Sequence, residues 1–152
     1  MAQGGKRVLA VASGGGHWEQ LMMLRPVLIA HETTFATTDP ALAARDGIDD
    51  AALLPDCNKD RPFDTVRCAI AAFRLVRRLR PHIVISTGAA PGLLCLLAAK
   101  SVGARTLWID SVANAGALSL SGRMAVKIAD ECLTQWEHLA SDAQPKFRGS
   151  VL

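Results

Sequence analysis

The sequence predicts an α/β protein, a Rossmann-like parallel sheet of about six strands with helices on both faces. Strand-type and helix-type patterns alternate from end to end through short connections, as parallel strands joined by helical crossovers require. The first strand, VLAVA at residues 8–12, is a continuous apolar run, as expected of a strand buried on both faces. Half of the residues are hydrophobic and a fifth are charged, with four phenylalanines, three tryptophans and no tyrosine, so small aliphatic side chains must build the core. At 152 residues the chain can bury one full core, and a single domain over 1–152 is expected.

The elements follow in order. Ser13 and three glycines, Gly14, Gly15 and Gly16, end the first strand. His17 then leads into a helix expected over 18–29, with Leu21, Leu24 and Leu28 on one stripe and a kink at Pro26. Residues 31–38 hold strand formers, Asp39-Pro40 opens a short helix to Ala44, and 51–54 is a short third strand. Pro55 and Pro62 mark 55–64 as a loop, after which Thr65 caps a long helix over 66–80. On a helical wheel Ala69, Ala72, Phe73, Val76 and Leu79 share one face and Arg67, Arg74 and Arg78 the other, with Ile70 and Leu75 flanking the arginines. Pro81 ends that helix, and HIVIS at 82–86 is a fourth strand. A second small-residue loop follows, Thr87-Gly88-Ala89-Ala90, and Pro91 suits the first turn of an apolar, buried helix over 93–100. A fifth strand at 105–109 breaks into Asp110-Ser111 and a loop to Gly122. A helix over 124–129, a sixth strand over 131–135 and a mixed tail complete the chain.

The formal charge of +3 gives no warrant for nucleic acid. Its distribution is uneven: residues 61–80 carry six arginines against one acid, and 39–60 carry six aspartates against one arginine and one lysine. Cys57, Cys68, Cys95 and Cys132 form no CxxC pair and are read as buried thiols of a reducing compartment. Residues 1–7 run straight into a strand without a signal-peptide pattern, and no apolar run reaches the ~18 residues of a membrane span. A cytoplasmic protein, with any membrane attachment peripheral, is the expectation.

In a parallel α/β sheet ligands bind beyond the carboxyl ends of the strands. Three loops lie there: 13–17, 87–90 and 110–122. The triple glycine permits positive φ and close approach, and its amides at a helix N-terminus suit an anion. The dinucleotide fingerprint GxGxxG fails, because Glu19 stands where the third glycine belongs, and no Gly-Lys-Ser/Thr of a P-loop follows. His17 admits three readings: a neutral base toward a hydroxyl, a cation paired with phosphate, or a packing residue. Thr87, Gly88 and Ala89 offer a second amide-rich turn with a hydroxyl. Asp110, Ser111 and Asn114 suit a sugar hydroxyl or the positioning of a reacting group. The four histidines make no metal motif, so neither a metal nor a cofactor is expected. The arginine-faced helix is either an ordinary surface helix or a contact for an anionic membrane.

Taken together, SGGGHWEQLMML, ISTGAAPG and IDSVANAGALSLSG resemble the acceptor-side subunit of split GT-B glycosyltransferases. These are bacterial exopolysaccharide and capsule proteins, themselves similar to the membrane-anchoring subunit of the eukaryotic dolichol-diphosphate N-acetylglucosaminyltransferase. The resemblance implies a fold equivalent to the N-terminal half of a GT-B enzyme, with a small partner chain holding the nucleotide-sugar. It further implies that Ser13, Gly14, Gly15 and Gly16 lie by the diphosphate of a polyprenyl-linked glycan acceptor, with Thr87, Gly88 and Ala89 lining the same cleft. A more distant likeness to the acceptor domain of the lipid-II-forming transferase makes His17 a candidate base. The third motif departs from the family's Glu-Ser followed by arginine, reading Asp110-Ser111 with Ala113-Asn114 in the arginine region.

The length bears on this independently, since 152 residues hold only one of the two Rossmann-like halves of a GT-B enzyme. The expected function is therefore the acceptor-binding, membrane-associating subunit of a two-chain glycosyltransferase, inactive without its donor-binding partner. Arg67, Arg74 and Arg78 would face the anionic inner surface of the cell membrane. Two other readings stand beside it: a non-catalytic membrane scaffold that recruits the catalytic subunit, and a small nucleotide-binding Rossmann domain.

Overall fold

The computed structural model describes residues 4–57 and 60–151. Seven parallel strands form one sheet in the order β3-β2-β1-β4-β5-β6-β7. They are β1 (Arg7–Ala12), β2 (Glu32–Thr37), β3 (Ala52–Leu53), β4 (Ile83–Gly88), β5 (Arg105–Ile109), β6 (Glu131–Thr134) and β7 (Lys146–Phe147). Six correspond to the expected strands. The seventh is two residues long and lies in the tail, where so short a segment carries no periodicity to read. Its register is set by β6 alone, Leu133 opposite Lys146 and Thr134 opposite Phe147.

The order reverses between β1 and β4, and the crossovers divide accordingly. Helices α1 (Gly16–Met23), α2 (Arg25–Leu28) and α3 (Pro40–Arg45) belong to one face, where Val8, Ala10, Trp18, Leu21 and Phe35 pack together. Helices α4 (Pro62–Leu79), α5 (Ala89–Lys100) and α6 (Leu120–Ile128) belong to the other, over Leu9, Val11, Val84 and Trp108. Alternate residues of β1 thus go to opposite layers, and after the exposed Arg7 all five, Val8 to Ala12, are apolar because both layers are dry. Trp18 anchors the first layer, its ring edge-on to Phe35 at 6.3 Å between centroids and its indole N–H donating to Asp46 at 2.7 Å.

Several boundaries differ from expectation for local reasons. The single helix over 18–29 is two, because Pro26 sits in the first turn of α2 and the chain turns at Leu24. The long helix starts at Pro62, not after Thr65. Proline at the first helical position loses no hydrogen bond, Asp64 complements the helix dipole, and Thr65 donates to the Arg61 carbonyl instead of capping. Along α4 the buried stripe is Cys68, Ala72, Leu75 and Val76, so Leu75 belongs to the core whereas Phe73 faces out. Helix α6 begins at Leu120, four residues early, because Ser119 caps it by accepting from the Gly122 N–H at 2.8 Å. The region read as loop 87–90 is no loop at all: β4 runs to Gly88 and α5 starts at Ala89.

All four cysteines are free and buried. Burial pushes the thiols of Cys95 and Cys132 up to about 12, and that of Cys68 higher still. Thiolate is the reactive form, so a disulfide reagent at pH 8 is expected to label none of these three in the native protein and all of them in denaturant. Rapid labelling of Cys95 or Cys132 in the native state would contradict this packing.

Candidate functional site

The reversal of strand order brings the ends of β1 and β4 side by side, and the site is built on that junction. Beyond β1, Gly15 takes φ +62° and ψ −139°, a conformation open to glycine, and its carbonyl receives the Trp18 and Glu19 N–H groups that start α1. No side chain caps α1, and the N–H groups of Gly16 and His17 find no acceptor among the described residues. They remain available to an anion.

The end of β4 supplies a second such terminus. Gly88 has φ +148° and its N–H bonds the Ser86 hydroxyl at 3.1 Å, while Ala89 is left-handed at φ +67°. A left-handed alanine is strained by roughly 1–3 kcal/mol. It lets α5 begin at once, with no side-chain cap, so its first N–H groups open beside those of α1. Gly88 is required sterically, because a Cβ there would overlap the His17 ring.

His17 joins the two termini. The Thr87 hydroxyl donates to the His17 carbonyl at 2.7 Å, and His17 Nδ1 lies 3.1 Å from the Thr87 carbonyl. A carbonyl only accepts, so Nδ1 carries the proton, and in the neutral form of the ring the lone pair is on Nε2. This is the tautomer a general base needs. His17, Thr87 and Gly88 therefore meet, with Gly16 and Ala89 as their chain neighbours, whereas Ser13 and Gly14 line a cleft toward β2.

On the β2 side a cleft of ≈ 410 Å³ is lined by Ser13, Gly14, Thr38, Asp39, Pro40 and Asp56. Asp39 accepts from the Ala41 and Leu42 N–H groups as the cap of α3, and its carboxylate abuts Gly14. Two carboxylates, those of Asp39 and Asp56, therefore stand on that wall.

The third loop is braced rather than open. The Asp110 carboxylate, 2 % exposed, accepts from the Trp108 indole at 3.0 Å, the Asn114 amide at 3.2 Å, and the Ser119 N–H and hydroxyl at 3.0 and 2.6 Å. Ser111 bonds Gln20 and the Ala113 N–H. Asp110, Ser111 and Asn114 thus hold the loop's shape, and Trp136 and His138 latch it from outside through the Val112 and Ala115 carbonyls. Sequence reasoning did not single out Gln20, Gln135 or Trp136. Nothing local marks them, since their partners lie far along the chain.

Arg67, Arg74 and Arg78 stand apart from this junction, on the exposed face of α4. Among the described residues Arg67 reaches Asp64 only at 4.0 Å, and no acid pairs with Arg74, Arg77 or Arg78. Beside them Phe63 (85 % exposed), Val66, Ile70 and Phe73 form an apolar stripe. None of the described helices is long and apolar enough to cross a membrane.

The seven-stranded Rossmann-like sheet has the fold of the N-terminal half of GT-B glycosyltransferases. The fold matches MurG from Acinetobacter baumannii with a TM-score of 0.75 at 15 % identity, covering 93 % of this chain and 45 % of that one. It also matches the UDP-N-acetylglucosamine 2-epimerase of Rickettsia bellii, with a TM-score of 0.72 at 14 % identity over 97 % and 45 % of the two chains. Residues 57–151 match the family described as oligosaccharide biosynthesis protein Alg14 like, and the chain belongs to that family. A relative in Eremothecium gossypii, the UDP-N-acetylglucosamine transferase subunit ALG14, is 36 % identical over 88 residues, half of this chain and 39 % of that protein. The protein of the same description in Yarrowia lipolytica is 31 % identical over 88 residues, 52 % and 41 % of the two chains. The chain spans about two-fifths of the length of these curated relatives.

Proposed function

We propose that this chain is the acceptor-binding subunit of a two-chain glycosyltransferase, acting as one domain with a separate subunit that holds the nucleotide-sugar. The acceptor is a polyprenyl-diphosphate-linked glycan of exopolysaccharide or capsule synthesis, met at the cytoplasmic face of the membrane. Its diphosphate lies against the N–H groups of Gly16, His17 and the first turn of α5. His17 Nε2 takes the proton of the acceptor hydroxyl as that oxygen bonds the anomeric carbon from the face opposite the leaving group. The bond to the nucleoside diphosphate breaks with inversion, and the electron pair leaves with it. What supports this reading is the His17–Thr87 pair, which fixes the required tautomer at the meeting point of two helix N-termini.

Reconstituted with the donor-binding chain recovered by co-purification, His17→Ala is expected to lose about a hundredfold or more in kcat. Its KM for the acceptor should change little. Full retention of rate would remove the role of base. Recovery of no donor-binding chain from the native cell would count against the two-chain enzyme.

The exposed stripe of α4 favours a membrane contact within the same reading, and on its own it would also serve a scaffold without chemistry. Each arginine near an anionic bilayer contributes about 1 kcal/mol. Replacing Arg67, Arg74 and Arg78 together by alanine should therefore weaken binding to phosphatidylglycerol-containing vesicles by about a hundredfold at low salt. Phe63→Ser should weaken it further by removing an inserted ring. Equal binding of wild type to vesicles of pure phosphatidylcholine would overturn the electrostatic contact. A nucleotide-binding domain is disfavoured because Asp39, the acid nearest the end of β2, is committed to capping α3.

A further inference from the structure

Beside the junction of β1 and β4, two buried side-chain amides have all of their hydrogen-bonding capacity used. Gln20 on α1 is 7 % exposed and Gln135, just beyond β6, is 5 % exposed. They are separated by 115 positions in sequence and meet directly, the Gln135 amide donating to Gln20 Oε1 at 2.5 Å. An amide side chain has two N–H donors and two acceptor lone pairs. Gln20 uses all four. It donates to the Ser111 hydroxyl at 2.9 Å and the Gly16 carbonyl at 3.3 Å, and accepts from the Val112 N–H at 3.0 Å and from Gln135. Gln135 likewise donates to Gln20 and to the Asp110 carbonyl at 3.0 Å, and accepts from the Ser150 hydroxyl at 3.2 Å and the Val151 N–H at 2.9 Å.

The consequence falls on His17. The carbonyls on either side of its Cα are both held by side chains, that of Gly16 by Gln20 and its own by Thr87. With both peptide planes fixed, the ring is directed at the Thr87 carbonyl. Gln20 is in turn fixed against the ends of β5 and β6 through Ser111, Val112 and Gln135. The first turn of α1 is thereby referenced to three strands at once, whereas an uncapped helix start on a triple glycine would otherwise fray.

We infer that Gln20 and Gln135 are positioning residues for His17, holding the first turn of α1 so that its ring keeps the Nδ1-protonated tautomer and a fixed direction. This rests on the reading of His17 as the base. Buried hydrogen-bonded pairs of this kind have an all-or-none character, because removing one partner orphans the others. Gln135→Met removes both donors and the tail's acceptor. Gln20→Glu is narrower, since it keeps the acceptor for the Val112 N–H and for Gln135 and loses only the NH2 that donates to the Gly16 carbonyl and the Ser111 hydroxyl, a hydroxyl that can itself donate to a carboxylate.

The test uses the full chain at pH 8.5, where His17 is observed by long-range 1H–15N correlation, and then the reconstituted pair. Wild type should show the Nδ1–H tautomer alone. Gln20→Glu and Gln135→Met should show a mixture of tautomers with unchanged far-UV circular dichroism. Their kcat should fall about tenfold, with the acceptor KM within twofold. A tautomer unchanged from wild type in Gln20→Glu would overturn the inference, as would a loss confined to KM. If Gln135→Met fails to fold, Gln20→Glu decides alone, and its unfolding too would show the pair to be structural and overturn the inference. Full activity of His17→Ala beside a tautomer that still loosens in Gln20→Glu would leave the positioning intact and remove only the base role.

Discussion

Gly88→Ala is expected to abolish transfer in the reconstituted pair and to destabilise the chain by about 3 kcal/mol or more. The added methyl would occupy the space of the His17 imidazole, and φ +148° is closed to an L side chain at low cost. Either the ring swings away from the Thr87 carbonyl, or β4 and the start of α5 shift together. Both outcomes break the alignment of the two helix N-termini. The check has two parts: thermal unfolding, in which a 152-residue chain should lose roughly 2–4 °C per kcal/mol, and the His17 tautomer in whatever remains folded. Gly15→Ala makes a useful contrast. Its φ is +62°, yet open space surrounds it, so a Cβ there meets only backbone strain and leaves His17 untouched. A Gly88→Ala protein with wild-type rate and stability would show that the His17 ring does not reside where the Thr87 contact places it.

Asp110→Ala should cost about 3–5 kcal/mol of stability through the hydrogen bonds it leaves unmade. The carboxylate is the shared acceptor of Trp108, Asn114 and both donors of Ser119, and no cation among the described residues pairs with it. Its removal leaves four donors facing a cavity, and Ser119, which caps α6, loses its orientation. Proteolysis within 111–119 should then accelerate, and the melting temperature should fall by about 10 °C or more. Asp110→Asn will not rescue it fully, since its NH2 confronts donors. The neighbouring Gly122 has a matching demand, because a Cβ there would overlap the same carboxylate. Were Asp110 an acceptor-binding acid instead, alanine would raise the acceptor KM and leave the melting temperature unchanged.

Much of this was legible in the chain. The parallel α/β sheet could be read because Val8–Ala12 and Ile83–Ile85 are apolar β-branched-rich runs, each followed within a few residues by glycine, as strands buried on both faces require. That residues 13–17 and 87–89 lie at one edge followed from strand ends that must share one edge of such a sheet. The arginines of α4 were readable for the same periodic reason. Where that reading went wrong, at Phe73 and Leu75, a helical wheel fixed the spacing but not the angle at which α5 packs against the helix. Small residues such as Ala69 and Ala72 give the wheel little weight to centre on.

What the sequence determined by itself is the set of glycines, small residues and hydroxyls that permits backbone amides to face a ligand at the strand ends. Chain-local sterics and a period-two pattern suffice for that. Only the tertiary structure decided which atoms meet: that Gly88 must lack a side chain because His17 fills the space, that Thr87 selects the imidazole tautomer, and that Asp110 faces inward. It alone joined Gln20 to Gln135. Hydrogen bonds between residues 70 or 115 positions apart depend on strand order and helix packing, and no local propensity encodes either. The glycine loop leaves its backbone amides open at a strand end, and the packed sheet beneath it fixes where the histidine points.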